Sequence, residues 1–142
     1  MTDARLLTDL LAAQHQASYA YGVLGARLPD AQRQLALDAL LDHRADRDAL
    51  EGLLRARDLP VPGPALAYAV TVANAARAVA LAVRVETEVG VLWRDLVAIT
   101  DDPALRALGT TGLIGCSVRA IPWRRLAKLP LTVPLPGEVV QG

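Results

Sequence analysis

DLPVPGPALAYAVTVA, residues 58–73, is the stretch whose reading decides the fold. Pro60, Pro62, Gly63 and Pro64 forbid regular helix over its first half. Sixteen residues can reach about 50 Å when extended, at ~3.3 Å each. The helix expected before it, of about 27 residues, is about 40 Å long at 1.5 Å per residue. The segment can therefore return along a whole bundle and leave the third helix parallel to the second. A simple up-down-up-down bundle would need only a short turn here.

Upstream, two helices are expected over 3–28 and 30–57. Thr2 can cap the first, with Asp3 in its opening turn. Leu7, Leu10, Leu11, Ala17, Tyr21, Leu24 and Leu28 recur at three-and-four spacing, and Gln14 interrupts that stripe. Pro29 stops the helix by pushing the residue before it out of the α region. Asp30 is the expected N-cap of the second helix, whose seam reads Ala36, Leu40, His43, Arg47, Leu50 and Leu54. The short link makes these helices antiparallel neighbours.

Downstream, helices are expected over 74–100 and 103–128, followed by an extended tail over 129–142. Asn74 caps the third, with Thr71 as the alternative. Its seam is Val79, Ala82, Glu86, Val89, Trp93 and Leu96, flanked by Val85, Leu92 and Ile99. Asp102 and Pro103 restart the chain as N-cap and first helical residue. In the fourth helix Leu105, Leu108, Gly112, Gly115, Arg119 and Leu126 keep a seam. Its glycines favour close helix approach, and Pro122 is expected to kink or end it.

Hydrophobic residues make up 53% of the chain with no Phe, so Leu, Val and Ala must build an all-α core. Fifteen basic residues balance fifteen acidic ones, which leaves no electrostatic footprint for nucleic acid or an anionic membrane. The most apolar run, residues 65–83, contains Asn74 and Arg77 and reads as a loop entering a core helix, not a membrane span. Asp3, Arg5 and Asp9 break up any signal peptide at the N-terminus, and the single cysteine, Cys116, suits a reducing compartment. A cytoplasmic protein of one domain is expected.

Each helix carries a polar residue near its middle on its inner face: Gln14, His43, Glu86 and Arg119. In a four-helix bundle these meet at one level, with Arg47 one turn from His43 and Tyr21 able to lend its hydroxyl. Ferritin-like proteins keep a di-metal centre at such a level, and two helix pairs joined by a long crossover is their connectivity. Over nearly its full length the chain resembles a family of small bacterial ferritin-like domains of unknown function. The residues that carry this are LAAQHQASYAYGVLGARL (11–28), HRADRDALEGLL (43–54), WRDLVAIT (93–100) and PLPG (134–137). The resemblance implies a ferritin-like four-helix bundle and no established activity, with Glu usual in relatives where this chain has Gln14.

A di-iron site needs roughly four carboxylates and two histidines. No Glu here precedes a His by three residues: Glu51 precedes Leu54, Glu86 precedes Val89 and Glu88 precedes Val91. Arg119 would repel a metal. No catalytic residue, metal ligand set or cofactor is therefore assigned. Glu86 is expected to pair with Arg47 or Arg119, since a buried carboxylate needs a partner. His15 and Gln16 are expected to be solvated, Tyr19 to sit at a boundary, Trp93 to anchor the core and Cys116 to be inert.

The reading is a bundle whose Gln/His/Arg/Glu layer replaces the metal centre and which works by association, most simply as a homodimer. One alternative is a module for a small anion or carboxylate, drawn by the excess charge of Arg47 and Arg119 over Glu86. The other is residual iron or manganese binding with oxidase activity.

Overall fold

A computed structural model of the chain describes residues 1–133. The PLPG motif and most of the expected tail lie outside them. Four helices make up the described fold: α1 (Asp3–Gly25), α2 (Asp30–Ala56), α3 (Ala75–Ile99) and α4 (Pro103–Leu126). No strand occurs among the described residues.

Capping sets most of the boundaries. The Thr2 hydroxyl accepts from the Arg5 amide at 3.2 Å, Asn74 Oδ1 from Arg77 at 2.9 Å, and Asp102 Oδ1 from Ala104 at 2.8 Å. The start of α2 differs from expectation. Pro29 occupies the cap without a side-chain bond, and Asp30 is the first helical residue. Arg33 instead ties the turn, donating to the carbonyls of Gly25 and Leu28. Helices α2 and α4 both close on a residue of positive φ, Asp58 (54°) and Lys128 (56°). The next amide then reaches back to a helical carbonyl, Leu59 to Leu54 and Leu129 to Arg124, each at 2.9 Å.

Contacts between helix ends give the topology. At one end, the Thr100 hydroxyl donates to Asp3 at 2.9 Å, and Arg57 pairs with Asp102 at 2.6 Å. The start of α1, the end of α2, the end of α3 and the start of α4 therefore share that end. Helices α2 and α3 run parallel, and residues 58–73 return along the bundle. Tyr68 marks the crossing, its ring 5.1 Å from that of Tyr19 on α1. Val72 is buried where the segment enters α3, whereas Leu66 stands fully in solvent.

Helix α1 packs against both α2 and α3, and α3 against α4. The core between them is Leu-rich around Leu7, Leu10, Leu24, Leu50, Leu54 and Leu96, with Trp93 and Trp123 as its largest members. Full burial of each such leucine is worth about 1.5–3 kcal/mol. Gly112 lies flat on the Trp93 indole, where a methyl group would overlap the ring. Helix α4 runs through Pro122 to Leu126. The proline forfeits only the bond to the carbonyl of Val118, on the solvent side. Trp123, buried immediately after it, replaces the expected Leu126 in the core; Leu126 and Ile99 are exposed. No described helix is long and apolar enough to cross a membrane.

Candidate functional site

The inward stripes of all four helices converge on Glu86. Its carboxylate is buried, and Oε1 accepts from the Tyr21 hydroxyl at 2.6 Å. His43 Nε2 lies 2.9 Å from the same oxygen. Arg119 Nε lies 3.3 Å from both oxygens. On the other side of the imidazole, His43 Nδ1 is 2.6 Å from Gln14 Oε1. Tyr21 stacks beside the His43 ring at 5.4 Å between centroids, with Trp123 behind it at 6.2 Å.

Five of the six residues expected in the layer, Gln14, Tyr21, His43, Glu86 and Arg119, are thus in one connected network. The sixth is not. Arg47 turns outward and pairs with Asp48 at 2.7 Å, because its place on α2 faces the groove under the crossover. Arg119 is the partner of Glu86, and Gly115 gives its guanidinium room: a Cβ there would stand 3.1 Å from Arg119 Nη1 and make it shift by a few tenths of an ångström. The outer face of Arg119 is answered by Asp42, 3.5 Å away.

The electrostatics follow from this packing. Burial pushes Glu86 toward its neutral form. The hydrogen bond and charge of His43, the charge of Arg119 and the Tyr21 hydroxyl outweigh that, so its carboxyl lies below the ordinary value. Burial, and then the Glu86 anion, hold the Tyr21 hydroxyl well above its usual range. The same two causes raise the Cys116 thiol, so Cys116 stays protonated and a poor nucleophile. Burial opposes the charge on Arg119, but Glu86 together with Cys116, Asp46 and Asp42 outweighs it, so its guanidinium lies above the ordinary value. Half-buried Asp46, also near Arg119, is raised by its own burial.

Chemically, the arrangement is a carboxylate closed by its own chain's donors. Glu86 and His43 are the only carboxylate and imidazole among the five residues of the network, and the Arg119 guanidinium lies against both Glu86 oxygens. No group of three or more His, Cys, Asp or Glu residues is placed to hold a metal ion among the described residues. The donor set does not fit a di-metal centre.

The sequence pattern of a domain of unknown function, DUF4439, matches residues 7–140. The chain belongs to the DUF4439 family. No curated protein matches it. A crystal structure of a conserved hypothetical protein from Mycobacterium tuberculosis is similar to this DUF4439 chain at 35% identity, with a TM-score of 0.83. The similarity covers 87% of this chain and 96% of that one.

Sequence reasoning missed three members of the surroundings. Trp123 sits seven residues after Cys116 on the inner face of α4, a spacing that could have found it. Asp42 is visible only through the tertiary pairing of α2 with α4. His15, expected in solvent, is 8% exposed and packed in the groove beneath the crossover.

Proposed function

We propose that this chain is a ferritin-like bundle in which a hydrogen-bonded layer of Gln14, Tyr21, His43, Glu86 and Arg119 stands in place of a di-metal centre. It works without catalysis, through association, most simply as a homodimer. The convergence of donors on Glu86 carries the reading: Tyr21, His43 and Arg119 all meet its Oε1, Arg119 also meets Oε2, and a cation stands where a metal centre would need further carboxylates. Two antiparallel helix pairs joined by one long crossover support the ferritin-like assignment. With Arg47 outside, the excess positive charge that would have drawn an anion into the layer is missing.

Association is supported by the outward faces of two helices. Leu37 and Leu41 on α2 are 45% and 53% exposed, and Ile114 and Val118 on α4 are both 58% exposed. Each pair lies one turn apart on its helix, where a second copy can cover it. A single cysteine, buried and unpaired, supports a cytoplasmic setting.

Chain purified from iron- or manganese-supplemented cells should carry well under one metal per chain, by elemental analysis. Two equivalents lost together on Glu86→Ala and His43→Ala would reverse the reading of the layer. Sedimentation velocity over a dilution series should show a dimer that Ile114→Glu with Val118→Glu converts to monomer. A monomer at every concentration would remove the association.

A further inference from the structure

Beneath the crossover, between α1 and α2, lies a concavity of about 530 Å³, separate from the Glu86 layer. Its floor is His15, Ser18 and Tyr19 of α1; Arg44, Arg47 and Glu51 of α2 form one wall. Residues 64–68 roof it, held in place by the Ala65 amide donating to the Tyr68 hydroxyl at 3.0 Å and by the Tyr19–Tyr68 contact. The size suits a small organic ligand.

Two polar atoms here have no partner among the described residues. His15 Nε2 is buried in a side chain only 7% exposed, and its nearest anionic neighbour, Glu51 Oε1, is 3.9 Å away, beyond hydrogen-bond reach. Ser18 Oγ is likewise buried and unbonded. Buried polar groups are almost always satisfied, so two beside one concavity point to a ligand that satisfies them. Both can donate, and the guanidinium of Arg47, half-buried beside them, adds a charged donor.

The charge around the concavity sets the ligand class. Arg44 and Arg47 balance Asp48 and Glu51 on its lining, and Glu51 is also paired with Arg55 at 3.2 Å. The lining is therefore neutral overall, and Arg55 outside it holds the Glu51 charge, so the facing donors suit a singly charged anion better than a phosphate dianion, which would need a cationic excess. We propose that this concavity binds a small monocarboxylate. The carboxyl group meets His15, Ser18 and Arg47, and the apolar stem lies against Tyr19, Tyr68 and Pro64 of the roof. This is a second site on the molecule, and its chemistry does not depend on how the Glu86 layer is read.

The chain has two histidines, His15 and His43, so their imidazole NMR signals separate the two places directly. Benzoate is the probe, with acetate and inorganic phosphate as comparison arms. Benzoate should shift the His15 signals saturably and leave those of His43 in place. Ser18→Ala and Arg47→Met, both surface-proximal and compatible with helix, should each weaken the apparent Kd by about tenfold. Acetate should bind at the same residues more weakly than benzoate, since it lacks the stem. His15 signals that stay fixed at benzoate concentrations on the order of 10 mM would overturn the site. So would shifts of equal affinity in both variants. Phosphate binding as tightly as benzoate would overturn the monocarboxylate class, and acetate binding equally well would remove the stem contact.

Discussion

Glu86→Ala removes the acceptor on which three donors converge. The Glu86 side chain is fully buried and that of Arg119 only 15% exposed, so the substitution strands a desolvated cation. Breaking a buried pair from one side costs about 3–5 kcal/mol. Asp42, at 3.5 Å, gives Arg119 a partner at the mouth of the site and places Glu86→Ala toward the lower end. Arg119→Leu should cost a similar amount, because the carboxylate keeps only Tyr21 and His43. The double variant Glu86→Leu with Arg119→Leu strands neither charge. It should be destabilised by roughly 2–3 kcal/mol less than the sum of the singles. Urea denaturation measures all three; a domain of this size has ~5–15 kcal/mol in hand, so each variant retains a folded baseline. A coupling below about 0.5 kcal/mol would mean that the two residues act independently. A nearly neutral Glu86→Ala would refute the reasoning outright.

Arg47→Ala should change stability by no more than about 0.5 kcal/mol by the same assay, since half-buried Arg47 has exposed Asp48 as its ion-pair partner and stands at the open side of the groove. Gly112→Ala should destabilise by about 1–3 kcal/mol because its methyl group overlaps the buried Trp93 ring; a gain would show that α3 and α4 are free to move apart. Asp58→Gly should stabilise by about 0.5–1 kcal/mol, glycine being at ease at the positive φ that ends α2. With pH, the depressed Glu86 group contributes stability that is present above its unfolded pKa of about 4.3 and lost as pH falls through the lower folded value. The raised Tyr21 group contributes below about pH 10 and is lost as pH rises past that. Glu86→Gln should flatten the acid limb of a Tm-against-pH curve, and Tyr21→Phe the alkaline one.

Much of this molecule was legible along the chain. The three-and-four spacing of Leu7, Leu10, Leu24, Leu50, Leu54 and Leu96 marks the buried faces, because helical periodicity and burial are local consequences of residue order. Proline chemistry at 60, 62 and 64, with the length that follows it, already implied that α2 and α3 run parallel. The presence of Gln14, His43, Glu86 and Arg119 at mid-helix likewise indicated a shared level. Which cation would face Glu86 was not legible. Arg47 and Arg119 both fall on inner seams, and a few tens of degrees of helix rotation separate facing the layer from facing the groove under the crossover. Tertiary packing settled it: α3 and α4 close tightly over the glycines at 109 and 112, and Gly115 leaves the space into which the Arg119 guanidinium folds. The burial of His15 was decided the same way, since no property of α1 alone tells it that residues 64–68 will cross above. Periodicity states which face of a helix is buried; only the packed neighbours determine what that face meets.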